Sequence, residues 1–86
     1  MSKMELRNLK VDVKSSDRLW LQLANQLEQA IEQGQWKLNS NLPSIVAISR
    51  TASVSKDTVF RAYRHLRKKG LVRWVKSVGF FLNLQQ

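Results

Sequence analysis

Cysteine is absent from the chain, which excludes a disulfide framework and a thiolate zinc site. One proline and three glycines among 86 residues fit neither a disordered chain nor a repeat array. With 43% hydrophobic residues, the composition is that of one small folded domain rather than of a disordered segment. Histidine occurs once, at His65, and the six acids are scattered without the pairing that an acid–base or metal site needs. No glycine-rich phosphate loop is present either. The sequence therefore reads as a non-enzyme with no metal and no cofactor. No apolar run approaches the roughly 18 residues of a membrane span, and the amino terminus lacks the apolar core of a secretion signal. A soluble cytoplasmic protein with no membrane partner is the expectation.

What the chain has in excess is positive charge. Fifteen Lys and Arg against six acids give a formal net charge of +9. Residues 50–76 hold nine of the fifteen cations and only one acid, Asp57. A field of one sign confined to one stretch suits a polyanion if that stretch folds onto one surface; the bland reading is solubility.

Apolar periodicity orders the rest. Leu9 to Val13 alternates apolar and polar residues, as in a short strand or extended arm. Ser16 or Asp17 is placed to cap a helix with Leu19, Trp20, Leu23, Leu27, Ala30 and Ile31 on one face and Gly34 at its end. Trp36-Lys37-Leu38 reads as a short extended piece, followed by a polar turn at Asn39-Ser40-Asn41. Ser44 is a cap for a second helix, although Ile45-Val46-Ala47-Ile48 is locally as good a strand, three of the four being β-branched. A turn over Ala52–Ser55 leads to a third helix, capped by Ser55 and running to about Lys69 before Gly70. Its buried stripe is Val59, Ala62, Tyr63 and Leu66. The opposite side carries Asp57, Phe60, Arg61, Arg64 and Lys68. Beyond Gly70, two β-rich runs at 71–75 and 80–82 flank Lys76-Ser77-Val78-Gly79, a hairpin signal. The fold class expected is mainly α with a small β-hairpin, a three-helix winged helix-turn-helix over 16–84. An arm or short strand over 1–15 precedes it and a tail at 85–86 follows.

Several residues together resemble the amino-terminal DNA-binding domain of the GntR family of bacterial transcription regulators. They are Leu19-Trp20-Leu21-Gln22-Leu23, Ala30-Ile31-Glu32-Gln33-Gly34, Leu42-Pro43-Ser44, Val54-Ser55-Lys56-Asp57-Thr58-Val59, Ala62-Tyr63, Leu66, Gly70-Leu71-Val72 and Gly79. The resemblance implies sequence-dependent binding of double-stranded DNA, with the third helix in the major groove and the wing near the minor groove. It also implies a homodimer formed through an effector portion after the wing. The sequence given stops at Gln86, so it reads either as an excised domain, largely monomeric, or as a protein without an effector. Carried over by position, Ser55, Lys56 and Thr58 match the family's contact segment, Ser44 the Ser of the Leu-Pro-Ser turn, and Gly79 the second wing glycine. Departures stand beside these matches. Val46 and Phe60 occupy positions where the family often has Arg, and Ser77-Val78 stand where Gly-Arg is common.

The candidate DNA-binding residues are Ser44, Ser55, Lys56, Asp57, Thr58, Phe60, Arg61, Arg64, Lys76, Ser77 and Gly79. Lys56 in the first turn suits a guanine edge or a phosphate. Thr58 suits a phosphate or a thymine methyl, or equally the edge of the core. Asp57 either complements the helix dipole or accepts from a cytosine amino group. Arg61 and Arg64 suit groove or backbone, and Lys76 the backbone beside the wing. Arg67, Lys68 and Lys69 equally complement the dipole at the helix's carboxyl end. Phe60 either presses on a thymine methyl or packs on a partner, and Trp74 with Phe80 forms either an apolar patch or an ordinary cross-strand pair. The alternative function is a winged-helix module that docks protein through Phe60 and Trp74, or a binder of RNA shape.

Overall fold

Three helices and a two-stranded hairpin follow one another in the computed structural model, which describes residues 9, 11–12, 18–34, 36 and 41–83. Helix α1 spans Leu19–Glu32, α2 Ile45–Ala52 and α3 Lys56–Lys68; strands β1 and β2 span Val72–Val75 and Gly79–Leu82. α1 and α2 both pack on α3, and the buried set joins Leu23, Leu27 and Ile31 of α1 to Ile48 of α2 and to Val59, Tyr63 and Leu66 of α3. The wing contributes Val72, Phe80 and Leu82 to the same core.

The start of α1 differs from the expected cap. Arg18 holds the N-cap position, its carbonyl accepting from the N–H groups of Leu21 and Gln22 with no side-chain cap; Ser16 and Asp17 lie outside the described residues. Of the short strand or extended arm expected over 9–13, Leu9, Val11 and Asp12 take no part in a strand, while Lys10 and Val13 lie outside the described residues. Leu9 is instead buried in the core and Val11 packs against it. The side-chain amide of Gln22 takes the place of a partner strand: it accepts from the Asp12 N–H (2.7 Å) and donates to the Asp12 carbonyl (3.1 Å). Burial of Leu9 and the Gln22 amide thus tie Leu9, Val11 and Asp12 to the helical core. Of the extended piece at 36–38, Trp36 packs on the core, and Lys37 and Leu38 lie outside the described residues.

Helix wins over strand at Ile45–Ile48, because capping and the long-range packing of Ile48 and Ala52 override local β-propensity. The Ser44 hydroxyl accepts from the Ala47 N–H (3.0 Å). At the other end Ser53 takes a left-handed conformation (φ 57°), and Ser49 ties the turn from both sides. Its hydroxyl donates to the Val54 carbonyl (2.6 Å), and its carbonyl accepts from the Val54 N–H (3.1 Å). The chain thus turns within three residues into α3. That helix ends as expected at Gly70 (φ 80°), with Leu71 N–H donating to Leu66 and Gly70 N–H to Arg67, the paired bonds of a Schellman stop.

The hairpin is antiparallel, with Val72 opposite Leu82, Arg73 opposite Phe81, Trp74 opposite Phe80 and Val75 opposite Gly79. Lys76-Ser77-Val78 forms the turn, closed by the Val78 N–H on the Val75 carbonyl (3.0 Å) with Ser77 left-handed (φ 67°). Gly79 sits at φ 127°, a backbone conformation that only glycine adopts readily, so the turn depends on it. One element was not foreseen. Asn41 bridges Phe81 from the open side, and the Leu42 N–H donates to the Phe80 carbonyl (2.9 Å), giving the wing a third edge.

Candidate nucleic-acid interface

The start of α3 is built by its cap. The Ser55 hydroxyl accepts from the Thr58 N–H (3.1 Å) and shares a hydrogen bond with the Thr58 hydroxyl (2.9 Å). Thr58 is therefore half-buried and turned toward the cap, while Lys56 and Asp57 stand exposed beside it. Replacing Ser55 or Ser44 by alanine should cost about 1 kcal/mol each, read as a lower urea midpoint at unchanged slope.

Along the outer face, Phe60, Arg61, Arg64, Arg67 and Lys68 are all exposed. Asp57 pairs with Arg61 one turn on (3.2 Å), an exposed i,i+4 pair worth about 0.3–0.5 kcal/mol, so either group can exchange its partner at small cost. Arg61, Arg64 and Lys68 meet Arg18, Trp20 and His65 around a cleft of about 220 Å³ between the start of α1 and the face of α3. The Trp20 and His65 rings form its wall, tilted by 58° at 5.3 Å.

Not all of the cations in residues 50–76 reach this face. Lys69 reaches back to α1, where its ammonium donates to both carboxylate oxygens of Glu28 (2.7 and 2.9 Å). Arg73 lies on the outer side of the hairpin, donating to Asn83 Oδ1 (3.1 Å) with its guanidinium over the Phe81 ring. Arg18, Trp20 and His65 join the cluster although none was among the sequence candidates; the meeting is long-range and carries no local pattern.

A second cleft, of about 420 Å³, lies between the start of α2 and the wing. Ser44, Ser77 and Gly79 line it together with Val46, Trp74, Val78 and Phe80. Trp74 and Phe80 are the cross-strand pair the turn length allows, edge to face at 4.9 Å, and Phe80 also stacks on Tyr63 at 4.3 Å. Trp74 nevertheless remains 49% exposed. Phe60, 41% exposed, is not among the residues lining this cleft. Lys76 is exposed at the wing turn and lines neither cleft.

Among the described residues no cluster of His, Cys, Asp or Glu is placed to hold a metal, and no helix is long and apolar enough to cross a membrane.

Comparison with known proteins agrees. Residues 19–82 match the model of the family described as bacterial regulatory proteins, gntR family. The HTH-type transcriptional regulator Rv1152 of Mycobacterium tuberculosis is 33% identical over 81 residues, 93% of this chain and 67% of that protein. The HTH-type transcriptional repressor YtrA of Bacillus subtilis is 23% identical over 75 residues, 87% of this chain and 58% of that one. Among solved structures, YtrA from Sulfolobus acidocaldarius, a GntR-family transcription factor, superposes with a TM-score of 0.81 at 27% identity, covering 91% of this chain and 82% of that one. This chain thus spans about two thirds of the mycobacterial relative and less of the Bacillus one. The chain belongs to the gntR family of bacterial regulatory proteins, and its winged helix-turn-helix is the operator-reading, double-stranded-DNA-binding domain of such a regulator, a binding unit and not a catalytic one.

Proposed function

We propose that α3 enters the major groove by its first turns, with Lys56 and Arg61 at base edges and Arg64 on the backbone. The capped starts of α2 and α3 present Ser44 and Ser55 to phosphates, where the helix dipoles favour negative charge. Lys76, with Ser77 and Gly79, holds the backbone at the wing. Phe60 meets the one apolar group of the major groove, the thymine methyl, and Asp57 and Thr58 flank it. The observation that carries this reading is the exposed outer face of α3, on which Arg61, Arg64, Arg67 and Lys68 stand with Phe60, beginning beside the helix start that Ser55 caps. In the whole regulator, two such domains meet the halves of a near-palindrome through an effector portion after the wing, and the domain alone is a weak, largely monomeric half-site binder. The cytoplasm is where such a regulator meets its operator.

Docking of a protein through Phe60 and Trp74 would draw on two different places, Phe60 on the outer face of α3 and Trp74 lining the cleft between α2 and the wing. The cationic face favours DNA.

The test is affinity for a duplex selected from a random pool, measured against salt. Each neutralised phosphate contributes about −0.9 to the log–log slope, so the two cations placed on the backbone, Arg64 and Lys76, give a slope of about −2 or steeper. A flat response, or equal affinity for unselected duplex and duplex RNA, contradicts the proposal.

A further inference from the structure

We propose that the cleft between the start of α1 and the outer face of α3 seats a phosphate of the DNA backbone on the flank of the major groove away from α2 and the wing. The inference rests on the duplex-reading function above and adds residues outside the expected contact segment, Arg18, Lys68 and the Trp20–His65 wall.

Charge placement carries it. Four cationic side chains from two elements, Arg18, Arg61, Arg64 and Lys68, converge on one cleft. Of these only Arg61 has an acidic partner among the described residues, and that pair is exposed on both sides. The same helix shows what happens where an acid is in reach: Lys69, one residue on, turns away to Glu28 at 2.7 Å. Like charges held together in a half-enclosed space repel, and an anion between them removes that cost. Arg61, Arg64 and Lys68 run along the helix for about 10 Å, so the seat continues the groove-facing stripe instead of starting another surface.

The opposite flank points the same way. The cleft between α2 and the wing is lined by Val46, Trp74, Val78 and Phe80 among others, with no Lys or Arg. A duplex held over α3 therefore finds hydroxyls and apolar groups in that cleft, with Lys76 at the wing turn beside it, and four cations gathered together on the α1 side. The α1 flank supplies the stronger backbone grip, and the salt dependence of binding comes largely from there.

The experiment is a methylphosphonate scan of the selected duplex, in which single phosphates are made neutral, with wild type and the Arg18→Ala and Lys68→Ala variants. Both positions are at the surface, and circular dichroism checks the fold. Wild type should lose affinity when phosphates on one flank of the half-site are neutralised. Each variant should ignore those substitutions and lose about 0.9 from the salt slope, with unchanged base preference. Arg18→Lys and Lys68→Arg should restore both. Variants that bind duplex with the wild-type slope and wild-type scan overturn the seat alone, leaving the function intact. Absence of duplex binding by wild type overturns both. Inorganic phosphate provides the remaining arm: saturable shifts of the Trp20 and His65 ring signals, together with an unaltered scan, would give the cleft to a free phosphate ligand and overturn the assignment to the backbone.

Discussion

Replacing Tyr63 by alanine should leave the domain largely unfolded at physiological temperature. The ring is fully buried, it stacks on Phe80 with the planes 13° apart, and its hydroxyl donates to the Pro43 carbonyl at 2.5 Å. One side chain thereby ties α3 to the wing and to the segment that leads into α2. Truncating a buried aromatic ring costs about 3–5 kcal/mol. A domain of this size is stabilised by only roughly 4–13 kcal/mol. Thermal unfolding followed by circular dichroism checks this; a melting temperature within a few degrees of wild type would show that the ring does not join these elements. Tyr63→Phe keeps the stack and loses one hydrogen bond, about 1 kcal/mol.

The same side chain sets an alkaline limit. Burial pushes the Tyr63 phenol well above its ordinary value near 10. Below that pH the hydroxyl is protonated in both states and its contribution is intact. Above it the unfolded chain ionises while the folded one resists, so stability falls as pH rises. Tyr63→Phe should flatten that fall.

Loss of recognition without loss of fold is the expectation for Lys56→Ala combined with Arg61→Ala. Both residues are exposed and neither packs in the core, so the melting temperature should stay near that of wild type. Each good base contact is worth about 1–3 kcal/mol, so two removed contacts weaken binding to the selected duplex by roughly 30-fold to 10⁴-fold. The Asp57–Arg61 pair lost in the variant accounts for only about 0.3–0.5 kcal/mol. Affinity for unselected duplex should fall much less, because other cations remain to meet phosphate. An unchanged preference for the selected duplex would remove α3 from the reading role.

The helices and hairpin were legible because each carries a local rule. The apolar stripe of α3 places Val59, Ala62, Tyr63 and Leu66 inside, and Gly70 and Gly79 mark positions whose φ is positive. Ser44 and Ser55 announce helix starts by chemistry that acts within three residues. The Ile45–Ile48 run is ambiguous alone and is decided by what packs on it. Features set by distant partners left no such trace. The Asn41 edge of the wing pairs residues 40 apart in the chain, and the Lys69–Glu28 pair joins residues 41 apart. Net charge marked the stretch that holds most of the cations, but it did not separate cations that meet acids from those left facing solvent. Trp20 reads as scaffold from its helical period, yet half-burial beside His65 makes it a wall of the cationic cleft. The family resemblance added the contact segment, and Val46, Phe60 and Val78 show where this chain departs from it with exposed apolar groups.

On the reading above, the outer face of α3 is the surface that meets duplex DNA. Titrating the isotopically labelled protein with the selected duplex, and following backbone amide and side-chain signals, tests it most directly. Shifts are expected from Ser55 along the exposed side to Lys68, at Arg18, at Ser44 and over Lys76–Gly79, with Lys69 unmoved in its pair with Glu28. Shifts confined to Val46, Trp74 and Val78, with α3 silent, would contradict it.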